Sequence, residues 1–149
     1  MTGLDRVQEL VSRENGLAVV FTSRADGTGQ ASVVNAGVLD HPVTGEPVVG
    51  FVARGGTKKV ANLRTRPRVT AVFRVGWEWV AGEGDADLAG PDDALDGFDA
   101  AALPGLLRDV FKAAGGTHDD WDEYDRVMAA ERRTAVLVRP ERVYSNPGS

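Results

Sequence analysis

The chain of 149 residues has the length of one domain, and its formal net charge is −5 with a pI near 5.0. The acidic total argues against nucleic-acid binding, and the lack of cysteine excludes disulfides, thiolate nucleophiles and thiolate metal sites. Residues 1–6 lack the apolar core of a signal peptide, and no apolar run reaches the ~20 residues of a membrane span. We therefore expect one cytoplasmic domain over residues 1–149, with neither membrane nor nucleic acid as a partner.

The first third of the chain alternates short runs of β-forming residues with turns rich in Gly, Pro and Asp. A helix precedes them, because apolar residues recur there at helical spacing. His41 is interpreted as a residue of the second turn. The predicted elements are a helix over residues 4–14, strands over 17–23, 31–39 and 48–53, and turns over 25–27 and 41–47.

The remainder mixes strands with amphipathic helices. Strict alternation over residues 68–75 places Val69, Ala71 and Phe73 on one face, and Gly82 and Gly84 indicate a bulge or a close backbone approach in the next strand. The predicted elements are a helix over 57–66, strands over 68–75 and 77–88, a helix marked by apolar residues 103–111, a second helix that starts at Thr117 with Asp120 in a capping box, and strand pieces over 135–138 and 142–144.

About six strands at hairpin spacing, with helices outside the run of strands, predict a mainly β fold. The two arrangements that fit are an antiparallel β-barrel and an antiparallel sheet, each with flanking helices.

A basic segment stands out against the acidic total. From Pro47 to Trp77 there are seven basic residues and no acidic residue, and Gly55-Gly56-Thr57-Lys58-Lys59 lies in the middle. Thr57 is a good N-cap, so both lysines fall in the first turn of a helix, where each cation costs roughly 0.3–1 kcal/mol. A bound phosphate would make the charges of both lysines favourable instead. The segment predicts a small anionic ligand, and the alternative is a pair of solvated lysines.

These residues carry a family resemblance. Residues 51–69, FVARGGTKKVANLRTRPRV, resemble the phosphate-binding segment of the pyridoxamine 5′-phosphate oxidase-like split-barrel proteins. Further motifs resemble the actinobacterial branch that uses coenzyme F420, and the likeness runs from about residue 5 to residue 146. Those motifs are Lys59-x-x-Asn62-Leu63-Arg64, Pro67-Arg68, the strand from Gly76-Trp77 to Glu83-Gly84, residues 116–124, and the tail from Glu131-Arg132-Arg133 to Val143-Tyr144.

The resemblance implies a six-stranded antiparallel split β-barrel of the FMN-binding type, and a homodimer with its cofactor at the subunit interface. Reduced F420 would deliver a hydride to an unsaturated small-molecule substrate. Lys59 corresponds to the phosphate lysine, and Asn62 would support its turn. The implied cofactor-binding residues are Ser32, Val33, Val34, Asn35, Ala53, Thr57, Lys58, Lys59, Trp77 and Trp79, with no catalytic residue and no metal ligand.

Two other functions remain open on the same fold, an FMN-dependent oxidoreductase and a non-catalytic carrier of flavin, F420 or haem. The second strand lacks the Arg that pyridoxamine phosphate oxidases carry, so oxidation of that substrate is not expected. Trp77 and Trp79, two apart on one predicted strand, share a face and form either core packing or a wall beside a planar ring. The proton donor would be solvent or Tyr124.

Overall fold

Six antiparallel strands close into a barrel in the spatial order β1-β2-β3-β6-β5-β4 in the computed structural model, which describes residues 3–14 and 16–146. The prediction of a mainly β, six-stranded antiparallel barrel with flanking helices is confirmed. The strands are β1 (Leu17–Ser23), β2 (Gly29–Asp40), β3 (Pro47–Ala53), β4 (Arg68–Val75), β5 (Glu78–Ala89) and β6 (Thr134–Ser145). The helices are α1 (Gly3–Glu14), α2 (Lys58–Thr65), α3 (Leu103–Ala113) and α4 (Trp121–Ala130), with a short 3-10 turn over Ala100–Ala102.

Period-two alternation in the strands fills the barrel. On β4, Val69, Ala71 and Phe73 are buried as the alternation predicted, and β1 alternates in the same way. The apolar stripe of α1 packs into the same core, with Val7 and Leu10 fully buried. A second apolar cluster forms where Leu106, Leu107 and Val110 of α3 pack against β3 and β6. No helix in the described residues is long and apolar enough to cross a membrane.

The C-terminal strand differs from the sequence prediction. The two predicted pieces, 135–138 and 142–144, are one continuous strand, because a register shift between Glu83 and Gly84 lets β5 and β6 stay paired past the irregularity. The close approach expected at the glycines occurs at Gly84, where an added Cβ would lie 1.8 Å from the carbonyl oxygen of Arg139. Gly82 has open space instead.

Two further local predictions are wrong. Helix α4 starts at Trp121 with Asp120 as its N-cap, whose carboxylate accepts a hydrogen bond from the Glu123 amide at 3.1 Å, so Thr117 does not open the helix. Trp77 lies in the turn before β5 and is 94% exposed, and therefore does not share a strand face with Trp79.

His41 also has a larger role than its predicted place in a turn. It is buried, and its Nδ1 accepts hydrogen bonds from the amides of Val43 and Thr44 at 3.1 and 3.2 Å. That leaves the ring proton on Nε2, which lies 2.9 Å from Asp87 Oδ2 on β5. His41 therefore ties the β2–β3 turn to β5, which is two strands away from β3 around the barrel.

Candidate functional site

A groove opens where β2 and β3 separate. Their ladder runs from Asp40 paired with Pro47 to Ala36 paired with Phe51 and then stops. Beyond that point β2 pairs only with β1, and the last residues of β3 pair only with β6. The groove has a volume of about 400 Å³. It is lined by residues 33–35 of β2, residues 52–54 at the end of β3, Thr57 and Lys59 of the next turn, Val110, Phe111 and Ala114 at α3, Tyr124 and Met128 of α4, and Arg133.

Helix α3 forms the apolar wall because it can approach the strand closely. A Cβ on Gly37 of β2 would lie 2.1 Å from the carbonyl oxygen of Ala113, so only glycine allows this contact. The close approach brings Val110 and Phe111 to the groove. Helix α4 extends the wall with Tyr124, whose ring centroid is 5.0 Å from that of Phe111.

The hydroxyl of Tyr124 is already engaged. It donates a hydrogen bond to the carbonyl oxygen of Leu107 at 3.0 Å, and the side chain is buried. Burial is the main cause that raises the pKa of Tyr124 above its ordinary value. In this arrangement the hydroxyl does not offer its proton to a ligand in the groove.

The other end of the groove is cationic and is built by two chain segments. Thr57 caps α2, with its hydroxyl accepting from the Val60 amide at 3.5 Å, and Gly56 before it has a φ of +83°. The Gly55 amide donates to the carbonyl of Glu131 at 3.2 Å, and a Cβ on Gly55 would lie 2.6 Å from the carbonyl oxygen of Arg132. The glycine turn therefore packs directly against the turn between α4 and β6.

This packing brings Arg54, Lys59 and Arg133 to the same end of the groove. Lys59 is half-buried and makes no ion pair or hydrogen bond within the described chain; its Nζ lies 5.7 Å from the centroid of the Phe51 ring. Burial, and then the charge of Arg133, lower the pKa of Lys59. No carboxylate or histidine of the described residues lines the groove. Such a site favours an anion, because an anion would compensate the half-buried ammonium.

Six of the ten residues expected to bind cofactor line this groove: Val33, Val34, Asn35, Ala53, Thr57 and Lys59. The other four lie outside it. Ser32 is partly buried on β2, Lys58 is exposed on α2, and Trp79 packs edge-on against Tyr144 with ring centroids 6.1 Å apart, while Trp77 is in its exposed turn.

Other parts of the site were not anticipated. Arg133 and the residues of α3 and α4 reach the groove through contacts between segments distant in sequence. Asn62, which was expected to support the turn of Lys59, lies outside the groove and donates a hydrogen bond to Gln30 at 3.0 Å, which ties α2 to β2. The one sequence signal for Arg133 was its place in the Glu131-Arg132-Arg133 motif.

No protein-family model matches the chain. Among solved structures, it is similar to a conserved hypothetical protein from Mycobacterium tuberculosis, with 20% identity, a TM-score of 0.65, and coverage of 92% of this chain and 81% of that one. An F420 reductase matches with 16% identity, a TM-score of 0.62, and coverage of 97% and 98%. A pyridoxamine 5′-phosphate oxidase-related, FMN-binding protein from Nostoc punctiforme matches with 13% identity, a TM-score of 0.58, and coverage of 95% and 78%. The chain therefore has the split-barrel fold of pyridoxamine 5′-phosphate oxidase-like proteins.

Proposed function

We propose that the groove binds coenzyme F420, and that the protein is an oxidoreductase which transfers a hydride from the reduced deazaflavin to an unsaturated small molecule. The observation that carries the proposal is Lys59, a half-buried ammonium with no counter-ion among the described residues, at the cationic end of a groove whose other walls are largely apolar. The fold shared with an F420 reductase supports it.

Each part of the groove has a task in this proposal. Thr57, the amides of the first turn of α2 and Lys59 would hold the phosphate, since a helix start combines unpaired N–H groups with a positive dipole end. The apolar side chains of Val33, Phe111 and Met128 would hold the flat ring and exclude water. When bound, the deazaflavin supplies the hydride chemistry itself. With the Tyr124 hydroxyl engaged, the proton for the substrate would come from solvent.

FMN is the second candidate cofactor, and the FMN-binding protein among the similar structures favours it. A phosphate would occupy the same cationic end in either case. The two additional cations, Arg54 and Arg133, favour F420, because its polyglutamate tail adds carboxylates that FMN lacks.

The proposal is tested by titrating one protein preparation with F420 and, separately, with FMN. Binding of F420 is followed by the change in the cofactor's fluorescence. Lys59→Ala is expected to weaken binding by roughly 1–3 kcal/mol, about 5- to 150-fold, by removing a charge-assisted contact. Arg126→Ala is the matched control, because Arg126 is an exposed cation of α4 outside the groove. Binding of FMN alone would select the second candidate, and binding of neither cofactor at micromolar concentrations would refute the proposal. Binding of the reduced cofactor without its oxidation when quinones, enones or tetrapyrroles are added would indicate a non-catalytic carrier.

The same proposal includes a homodimer. Leu17, Val19 and Phe21 form an exposed apolar row on β1, and Val33, which is 66% exposed, pairs with Val19 across the ladder. Val33 also lines the groove, so the apolar face is continuous with the site. A second copy covering this face would bury the row and enclose the cofactor.

Light scattering coupled to gel filtration measures the oligomeric state. Val19→Asp is expected to produce monomers with weakened cofactor binding, whereas Val43→Asp, at an exposed apolar residue of the β2–β3 turn, is expected to leave the dimer intact. A wild-type monomer that binds cofactor would contradict the dimer.

A further inference from the structure

Glu131 lies at the C-terminal end of α4, where a carboxylate is electrostatically unfavourable. It is the C-cap residue of α4, and its amide donates to the carbonyl oxygens of Val127 and Ala129. The C-terminal end of a helix carries partial negative charge, so a carboxylate is unfavourable there. Helix stability therefore does not account for an acidic residue at this position.

The side chain of Glu131 instead contacts the cationic end of the groove. Its Oε1 accepts a hydrogen bond from Arg133 Nε at 3.0 Å and lies 2.9 Å from Nη2. Its Oε2 lies 4.0 Å from Arg54 Nη2. Both arginines line the groove and Glu131 does not. One carboxylate outside the groove lining thus contacts two of the three cations that a ligand would meet.

The local charges show what this arrangement does. Arg54, Lys59 and Arg133 are three cations, and Glu131 neutralises one of them, which leaves a net charge of +2. With Glu131 in place, a phosphate or carboxylate group of the ligand that binds Arg133 must compete with an existing ion pair.

We propose that Glu131 is an internal counter-anion that competes with the anionic group of the ligand for Arg133 and Arg54, and so limits how tightly the groove binds anions. This inference rests on the proposed function, because it takes the cationic end of the groove to be the phosphate site. In this proposal Glu131 acts on the ligand only through Arg133 and Arg54.

Glu131→Gln is the direct test, because glutamine keeps an oxygen that can accept from Arg133 and removes only the charge. The variant, the wild type, Arg133→Met and the double variant are titrated with F420, with FMN, and with inorganic phosphate followed by thermal stabilisation. We expect Glu131→Gln to bind about twofold to tenfold more tightly at low ionic strength, with a smaller gain at high salt. The gain should shrink in the Arg133→Met background, since that background lacks the closer pair.

Glu131→Ala is the second variant and separates competition from positioning. Competition predicts tighter binding for both substitutions, whereas a carboxylate that only orients Arg133 predicts weaker binding for the alanine variant. Equal or weaker binding of phosphate by folded Glu131→Gln and Glu131→Ala would overturn the inference. A wild type that binds neither F420 nor FMN would refute the proposed function, and the phosphate titration would still decide the role of Glu131.

Discussion

Replacing Lys59 with methionine is expected to stabilise the ligand-free protein while weakening cofactor binding. Lys59 lies in the first turn of α2, where a cation costs about 0.3–1 kcal/mol, and it is half-buried near Arg133. The contact of its ammonium with the Phe51 ring, worth about 0.5–1 kcal/mol, is replaced by a sulfur–aromatic contact of similar size. The net gain of about 0.5–1 kcal/mol corresponds to a rise in Tm of about 1–4 °C for a chain of this size.

Thermal unfolding in phosphate-free buffer measures the effect, because bound phosphate would stabilise the wild type and hide it. Lys58→Met is the matched control, since Lys58 occupies the same helical turn but is exposed and outside the groove. Lys58→Met removes the same unfavourable charge from the helix start but no buried charge. Its gain in Tm should therefore be smaller, and its loss of cofactor affinity should be slight. A Lys59→Met protein that is less stable than the wild type and binds cofactor equally well would refute the reasoning.

The gain in stability from Lys59→Met should also depend on pH. Because burial and Arg133 lower the pKa of Lys59 below its ordinary value of 10.5, the folded protein carries the cost of the buried charge at every pH below the folded-state pKa. That cost is relieved as the pH rises from the folded-state pKa to the unfolded-state pKa. The difference in unfolding free energy between Lys59→Met and the wild type should therefore be constant at neutral pH and shrink at alkaline pH, as measured by urea denaturation.

Two other substitutions test the packing around the site. Gly84→Ala should cost about 3 kcal/mol or more in urea denaturation, because its Cβ would lie 1.8 Å from the backbone oxygen of Arg139, whereas Gly82→Ala, with open space around its Cβ, should unfold close to the wild type. Tyr124→Phe should lose about 1 kcal/mol with the hydrogen bond to Leu107 and leave the pH profile of substrate reduction unchanged; a shifted profile would identify the Tyr124 hydroxyl as the proton donor.

Local signals were sufficient for most of the barrel. The alternation over β4 and the β-forming run of β1 are properties of neighbouring residues, and the structure keeps both. The predictions are wrong where the structure of a segment depends on residues distant in sequence. The two pieces predicted for β6 are joined because β5 continues to pair with them across its bulge, and the indole of Trp77 is excluded from β5 by the turn at Gly76, whose φ is +60°.

The residues of the candidate site also divide into those with a local sequence signal and those placed by contacts distant in sequence. Thr57 and Lys59 were identified because an N-cap and a misplaced cation are adjacent in sequence. Arg133 was not identified, since it reaches Lys59 through the pairing of Ala53 with Thr134 and the packing of Gly55 against Arg132, which join segments far apart in the chain. The hydrophobic pattern of α3 predicted a helix, but it did not show that this helix would form the wall of a groove.

The apolar and the cationic halves of the groove both depend on the point where β3 separates from β2. Their ladder stops at Ala36 and Phe51, although β3 continues to Ala53 and stays paired with β6. Residues 29–35 of β2 therefore have no strand of the described chain paired on that side, and the groove opens there. Shortly after the end of β3, the Gly55-Gly56 turn directs the chain into α2 and places Thr57 and Lys59 at the groove. Any change that extended the β2–β3 ladder past Phe51 would thus close the apolar part of the groove and displace the anion site together.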